Sequence, residues 1–406
     1  MSNDLNNSRF VFVGELITTK EPLVTQKIGD KGWKKTRMSV GVKVDQNTQF
    51  LNLEYIHKDD VTTCKLLGSD MESFEVKLSD TNKEDVISKA ADFICTTVDL
   101  ETDFDKKKEY MKLVYKKRNH EMKKDEDKTD EDISKAKEYG EQIKELADNR
   151  MTFCHIKDVM NHLNSNLPKI KGKKVKVLGN IKSNFYNGKN TLQYVPTSIE
   201  LAEEDSEEML RAYMDVFFEK DSLDDDKKEQ KFYVNGYVGE KVNKKLKLYP
   251  TTVVIDYTKL DLKNDQHLGL LDFLKKTFEI KDKKQIHRIG VEISVVNGRE
   301  EVEFDESQLT ELQRQQILFG QATLDDFKPK GASYGDRIQE LKVIRADLKK
   351  FPDGSEEVFP VKELEDYLAA NDGDVTKDKL KSNKDEDKEE KSSEDKKEDI
   401  MAALFG

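Results

Sequence analysis

Three stretches of the chain place a glycine in the middle of an otherwise strong strand pattern: Phe10-Val11-Phe12-Val13-Gly14-Glu15-Leu16, Val175-Lys176-Val177-Leu178-Gly179-Asn180-Ile181 and Phe232-Tyr233-Val234-Asn235-Gly236-Tyr237-Val238. Each is apolar at its first, third and seventh places. A glycine there weakens a strand, so it marks a bend, a bulge or a close backbone approach, as when one strand curves through both halves of a small barrel. Each stretch is followed by a lysine-rich loop and a second strand: Trp33 to Val44, Lys189 to Ile199 and Lys241 to Tyr257. The recurrence predicts repeated β-barrel units. The distance from Gly179 to Gly236 is short for a complete barrel, so the third stretch also reads as a later strand of the second unit.

Met1 to Ser8 is polar and reads as frayed. Arg9 to Thr18, Thr36 to Val44 and Gln49 to His57 alternate as strands of a meander, and Ser73 to Leu78 and Asp92 to Leu100 supply two more, with a short helix over Asp85 to Ala91. Five strands with a helix before the last pair fit a Greek-key barrel over residues 1–103. From Phe104 to Arg150 the pattern changes to helical, with Ile133, Ala136, Tyr139, Ile143 and Leu146 on one side. Two helices, split near Asp125 to Asp130, are expected over 104–150, as a linker or as an insertion packed on the first barrel. Their lysines read as a solvated face.

A second barrel is expected over residues 151–350, from strands at Lys173–Ser183, Thr191–Ile199, Arg211–Glu219, Lys231–Gly239 and Leu246–Tyr257. An amphipathic helix is marked by Leu268, Leu271, Leu274 and Phe278. Ile286 to Asn297 and Glu301 to Phe304 are expected to form a hairpin around Asn297-Gly298. A helix near Ser307 to Phe319, a strand over Arg337 to Leu348 and a short helix over Val361 to Ala369, within a 351–371 segment, complete the folded part. Residues 372–406 are expected to be a disordered tail, since Lys, Asp, Glu and Ser with almost no apolar residue cannot offset their ordering entropy. The fold class is therefore mainly β with added helices (α+β), with two such barrels or three.

Net charge is −12, which opposes a polyanionic partner unless the acids are kept apart from a basic surface. They are kept apart. Val159 to Ile199 holds Lys169, Lys171, Lys173, Lys174, Lys176, Lys182 and Lys189 and no Asp or Glu, and Tyr186-Asn187-Gly188-Lys189 reads as the turn of a hairpin. Phe185, Tyr186 and Tyr194 lie among these lysines, a mixture suited to holding phosphates while offering flat rings to unpaired bases. The competing reading is a solvated hairpin whose aromatics face a core.

Trp33, the single tryptophan, stands in a loop beside Lys34, Lys35 and Arg37 and is the leading candidate for stacking, with Tyr55, Phe185, Tyr186 and Tyr194 behind it. Lys173, Lys174, Lys176, Lys182 and Lys189 are the candidate phosphate contacts. Nothing carries catalysis: the glycine-lysine loops lack phosphate-loop spacing, Cys64, Cys95 and Cys154 have no CxxC pattern, and the six histidines fall in unrelated contexts. No catalytic residue, cofactor or metal is expected. The chain has neither an N-terminal apolar signal nor an apolar run near 18 residues, so a cytoplasmic protein with no membrane partner is expected. Its richness in Lys, Asn, Asp and Ile points to an AT-rich bacterial or phage genome.

The chain ends in Asp399-Ile400-Met401-Ala402-Ala403-Leu404-Phe405-Gly406, an apolar tip behind an acidic flank. Glycine-centred strands, lysine-rich loops and this tail together resemble the single-stranded DNA-binding proteins built from OB-folds, especially phage and bacterial ones. The resemblance implies OB-like barrels that sheathe single-stranded DNA without enzymatic activity in replication or recombination. It also implies a tail whose Asp399, Ile400, Leu404 and Phe405 recruit replication or repair proteins. The tail departs from the bacterial pattern, because it ends in Leu-Phe-Gly and its acids are diluted by lysines. A phage structural adaptor and an RNA-binding or transcription-associated factor are the alternatives.

Overall fold

A computed structural model describes residues 8–18, 23–29, 32–123, 128–146, 150–242, 245–301, 309–318, 334–347 and 354–369. The expected tail and most of the expected fraying of Met1 to Ser8 lie outside them; Ser8 itself is buried, its carbonyl accepting the Ile181 N–H at 2.9 Å. Six strands open the chain: β1 (Arg9–Thr18), β2 (Val24–Ile28), β3 (Lys34–Met38), β4 (Val40–Val44), β5 (Asn47–Phe50) and β6 (Leu53–His57). There follow β7 (Thr63–Leu67), β8 (Ser73–Lys77), α1 (Glu84–Lys89), β9 (Thr96–Asp99), α2 (Phe104–Glu121), α3 (Asp130–Leu146) and β10 (Arg150–Phe153). Then come α4 (Ile156–Ile170), β11 (Lys174–Tyr186) and β12 (Lys189–Leu201). The remainder holds β13 (Met209–Phe218), β14 (Leu223–Asp226), β15 (Lys231–Val242), β16 (Lys245–Asp256), α5 (Asp265–Phe278), β17 (Gln285–Glu301), α6 (Glu311–Leu318), β18 (Tyr334–Ala346), β19 (Glu356–Pro360) and α7 (Leu364–Tyr367).

Two closed circuits of strands organise the molecule. In the first, β1 pairs antiparallel with β4, β4 with β5, and β11 with both β12 and β1. The seam closes where Leu51 bridges Tyr194 in parallel and the Asn52 N–H donates to the Tyr194 carbonyl at 2.7 Å. In the second, β13 pairs with β15, β15 with β16, β16 in parallel with β18, β18 with β17, and β17 with β13. An amphipathic helix precedes the last strand pair in each: α4 in the first and α5 in the second. Val159, Met160, Leu163 and Ile170 of α4, like Phe278 of α5, are buried in the central core.

The fold is the expected α+β class of OB-like barrels, but the strands close differently from the expectation. Residues 1–103 do not form a circuit by themselves. The basic hairpin β11–β12 closes the first barrel rather than opening the second, and the helix before that last pair is α4, not the Asp85–Ala91 segment. Everything from β7 to β10 is an insertion between the third strand and α4. Within it β7 and β8 pair only with each other, Asp92 to Ile94 is a single tight turn, and β9 and β10 extend the sheet beyond β12. Lysines of α2 serve this docking: Lys107 donates to the Leu201 carbonyl at 2.8 Å and pairs with Glu200 at 3.0 Å. Lys231 to Tyr257 lies inside the second circuit, so the described residues hold two circuits and not three.

The Asn297-Gly298 hairpin is absent. β17 runs straight through both residues, which face Gln339 and Ile338 of β18. The glycine answers a different need, since a Cβ at Gly298 would lie 2.7 Å from the Gln46 carbonyl of the first barrel, and Asn297 donates to the Thr48 carbonyl at 2.8 Å. The barrels are also joined edge to edge, with Arg9–Val13 of β1 antiparallel to Met209–Tyr213 of β13.

Candidate nucleic-acid interface

Register separates the two faces of the first barrel. Met38 and Leu53 face one another in the core, so Lys27, Lys35 and Ile56, and likewise Thr25, Arg37 and Glu54, share the outward side of β2–β3–β6. On β11–β12 the paired Ile181 and Tyr194 are inward. Lys182 with Gln193, Asn180 with Val195, and Tyr186 with Lys189 are therefore outward. Because β6 and β12 run in parallel from the Leu51–Tyr194 bridge, Trp33 and the β11–β12 turn stand at opposite ends of this surface.

The structure brings together part of the expected set. Trp33 is 45% exposed where its carbonyl accepts the Gly29 N–H, and Tyr186 is 70% exposed beside the turn whose Asn187 and Gly188 both take positive φ, 49° and 76°. Arg37, Lys182 and Lys189 are exposed with no ion pair among the described residues. Lys34 pairs with Asp59 at 2.6 Å, and Lys35 with Glu54 at 2.9 Å. Tyr55 is half-buried, its ring 5.0 Å from that of His57 and 5.8 Å from that of His155. Burial lowers the pKa of His155, opposed by Asp158, which favours a neutral ring.

Other expected residues lie elsewhere. Tyr194 is core, edge-on to Phe10 and Phe12 at 5.4 and 5.0 Å, and its burial drives the phenol pKa well up. Inward pleating turns Phe185 onto Tyr249 of the second barrel, with ring centroids 6.3 Å apart. Lys174 donates to the carbonyls of Glu204 and Ser206 and pairs with Glu208 at 3.1 Å, while Lys176 pairs with Glu200 at 3.4 Å. Lys173 is exposed at the far end of β11, beyond these acids. Alternation places lysines on one side of a strand but is blind to the carboxylates that later segments bring to them.

A cleft of about 850 Å³ opens on the outward side, where β6 parts from β12. Its floor is Asn52, Glu54, Asn180, Lys182, Gln193 and Thr197, its far wall is the insertion at Phe93–Thr96 and Phe153–Ile156, and Gly239–Lys241 of β15 close one end. Phe93, Asn52, Asn180, Gln193 and Glu240 were not legible as site residues. Phe93 in particular falls in Asp92–Leu100, where a strand reading turns it toward a core. Cys95 and Cys154 meet at 3.4 Å in the wall, and burial, with the Cys95 contact, pushes the Cys154 thiol up to about 12. The thiols are thus protonated packing groups. Among the described residues no His, Cys, Asp and Glu cluster is arranged to hold a metal.

The matching face of the second barrel is covered. Phe217, Tyr237, Leu248 and Ile286 point outward there but are buried under Phe359 and Leu364 of the C-terminal segment. The segment from the end of β13 through β14 to β15 also carries Glu219, Asp221, Asp224, Asp225, Asp226 and Glu229 against Lys220, Lys227 and Lys228. The first barrel's strand face is open where its counterpart is covered, and Trp33, Tyr186, Arg37, Lys182 and Lys189 are exposed on it.

The fold defines a protein of paired OB-like barrels. Among solved structures, a deletion mutant of the single-stranded DNA-binding protein from Thermus aquaticus is similar at 9% identity and a TM-score of 0.31, covering 86% of this chain and 97% of that one. No protein-family model matches the chain, and no curated protein sequence does. None of the described helices is long and apolar enough to cross a membrane.

Proposed function

We propose that the protein binds single-stranded DNA, without catalysis, along the outward face of its first barrel. The observation that supports this most is the disposition of Trp33 and Tyr186, exposed at opposite ends of one strand surface, with Lys35, Arg37, Lys182 and Lys189 along it. Such a surface holds phosphates by charge and bases by stacking. A negative whole molecule is compatible with it, because the acids nearest this surface are paired, Asp59 with Lys34 and Glu54 with Lys35, while Arg37, Lys182 and Lys189 carry no ion pair among the described residues. In this reading the terminal Asp399, Ile400, Leu404 and Phe405 dock replication or repair proteins, and the protein acts in replication or recombination in a bacterial or phage-infected cytoplasm.

Fluorescence anisotropy with labelled oligothymidylate tests the reading. Binding in the micromolar range or tighter is expected, weakening steeply with salt and quenching Trp33. Lys182→Ala and Lys189→Ala should each flatten the salt slope by about one unit. No salt-sensitive binding together with unquenched Trp33 emission would overturn it, and an unshifted elution volume with oligonucleotide would favour a structural adaptor.

A further inference from the structure

Phe93 is 60% exposed at the lip of the cleft, and Ile56 is 63% exposed across from it. Neither ring nor side chain contributes to a core, and the insertion that carries Phe93 is not needed to close the barrel. Between them the acids of the cleft are engaged: Glu54 pairs with Lys35 at 2.9 Å, and the Glu240 carboxylate accepts the Ser183 N–H at 2.9 Å. Its remaining floor is made of amides. Asn52 donates to the Gln193 Oε1 over a long 3.4 Å, and Asn180 stands beside them. Apart from Lys182 at the margin, a phosphate finds no unpaired cation there among the described residues, whereas a flat uncharged ring with donors and acceptors on its edge finds both an aromatic face and amide groups. The volume of about 850 Å³ lies within the roughly 300–1,000 Å³ of sites that hold small organic ligands.

From this arrangement we infer that the cleft is a nucleobase subsite. It takes one unpaired base swung out of the strand path, its ring against Phe93 and its edge on Asn52, Asn180 and Gln193. Lys182 at the floor's margin holds the neighbouring phosphate outside. A base inside a duplex would first have to be unstacked and unpaired, so the subsite selects single strands. Each amide offers both a donor and an acceptor, so the subsite accepts different bases. Because β15 supplies one end, the cleft is complete only with both barrels docked. The inference rests on the proposed single-strand binding along the first barrel.

Phe93→Ala and Phe93→Tyr in the full chain test it, with anisotropy titrations of oligothymidylate across salt and urea melts of each variant. Phe93→Ala should weaken binding about 10-fold, within the roughly 5- to 150-fold that one stacked base represents, and leave both the salt slope and the urea midpoint unchanged. Phe93→Tyr should bind like the unaltered protein. If the unaltered protein binds and Phe93→Ala binds equally well, or if its loss comes with a changed salt slope or midpoint, the subsite is refuted while the wider reading stands. If the unaltered protein does not bind, the wider reading itself falls.

Discussion

Gly14, Gly179 and Gly236 do the same physical work at three different places in the topology. A Cβ at these positions would lie 2.4 Å from the Lys43 carbonyl, 2.2 Å from the Val195 carbonyl and 2.3 Å from the Phe217 carbonyl, closer than any real methyl can approach. Gly14 sits where β1 passes from β13 to β4, Gly179 beside the bulge in the β11–β12 ladder, and Gly236 where β15 passes from β14 to β13. Gly179→Ala should therefore destabilise the protein by about 1–3 kcal/mol, the usual cost of overpacking. Gly269, exposed inside α5 with no atom within 4 Å of its ideal Cβ, is the contrast, and Gly269→Ala should stabilise by about 0.5–1 kcal/mol. Urea midpoints measure both, and equal responses would contradict this account. The bend was legible in the sequence because only glycine tolerates such an approach. Which strand approaches was not, since the first stretch is a first strand, the second a fourth and the third a second.

At the scale of elements, the second barrel closes through a parallel seam in which Val254 faces Lys342. One residue pair is a thin ladder. Two side chains reinforce it, with Lys342 reaching Asp256 at 2.9 Å. Burial opposes ionisation of Asp256, but hydrogen bonds from Thr258 and Lys342 outweigh it and hold the carboxyl at about 2, against 3.8 ordinarily. A depressed carboxyl pKa contributes stability above its unfolded value and loses it as pH falls through the folded one. The protein should lose stability as pH falls from about 4 to about 2, and Lys342→Met should be less stable at neutral pH with a smaller loss across that window. Urea melts at stepped pH measure it; parallel profiles for the two proteins would exclude the clasp. The insertion is the element least legible beforehand. Its β7, β8 and β9 alternate as any short strand does, and short-range alternation cannot say whether a strand closes a barrel or decorates it.

Across the whole molecule, one apolar cluster runs from Phe10 and Phe12 through Ala212 and Met214 to Ile293 and Val295, so the barrels share a core as well as the β1–β13 edge. Each fully buried side chain of this kind contributes about 1.5–3 kcal/mol, and loss of one barrel exposes the other's share. Scanning calorimetry should show a single unfolding transition for the two barrels, and two resolved transitions would contradict a shared core. The covering of the second barrel by Phe359 and Leu364 gives this joined body an asymmetry, with one strand face open and the other closed. Whether the cations of the first barrel line a groove is also decided at this scale. Lys182 lines the cleft beside β6, Lys174 and Lys176 are held by Glu208 and Glu200 away from it, and all three alternate alike.

By itself the sequence determined the class of fold, the curved strands and the basic turn at Asn187-Gly188, because glycine conformation, strand alternation and turn chemistry act over a few residues. Tertiary structure decided that residues 174–201 close the first barrel across an insertion, that Tyr194 is core while Phe93 is surface, and that the second barrel's face is covered. Those outcomes depend on pairings between segments far apart in the chain, whose free energy comes from contacts that no local pattern encodes.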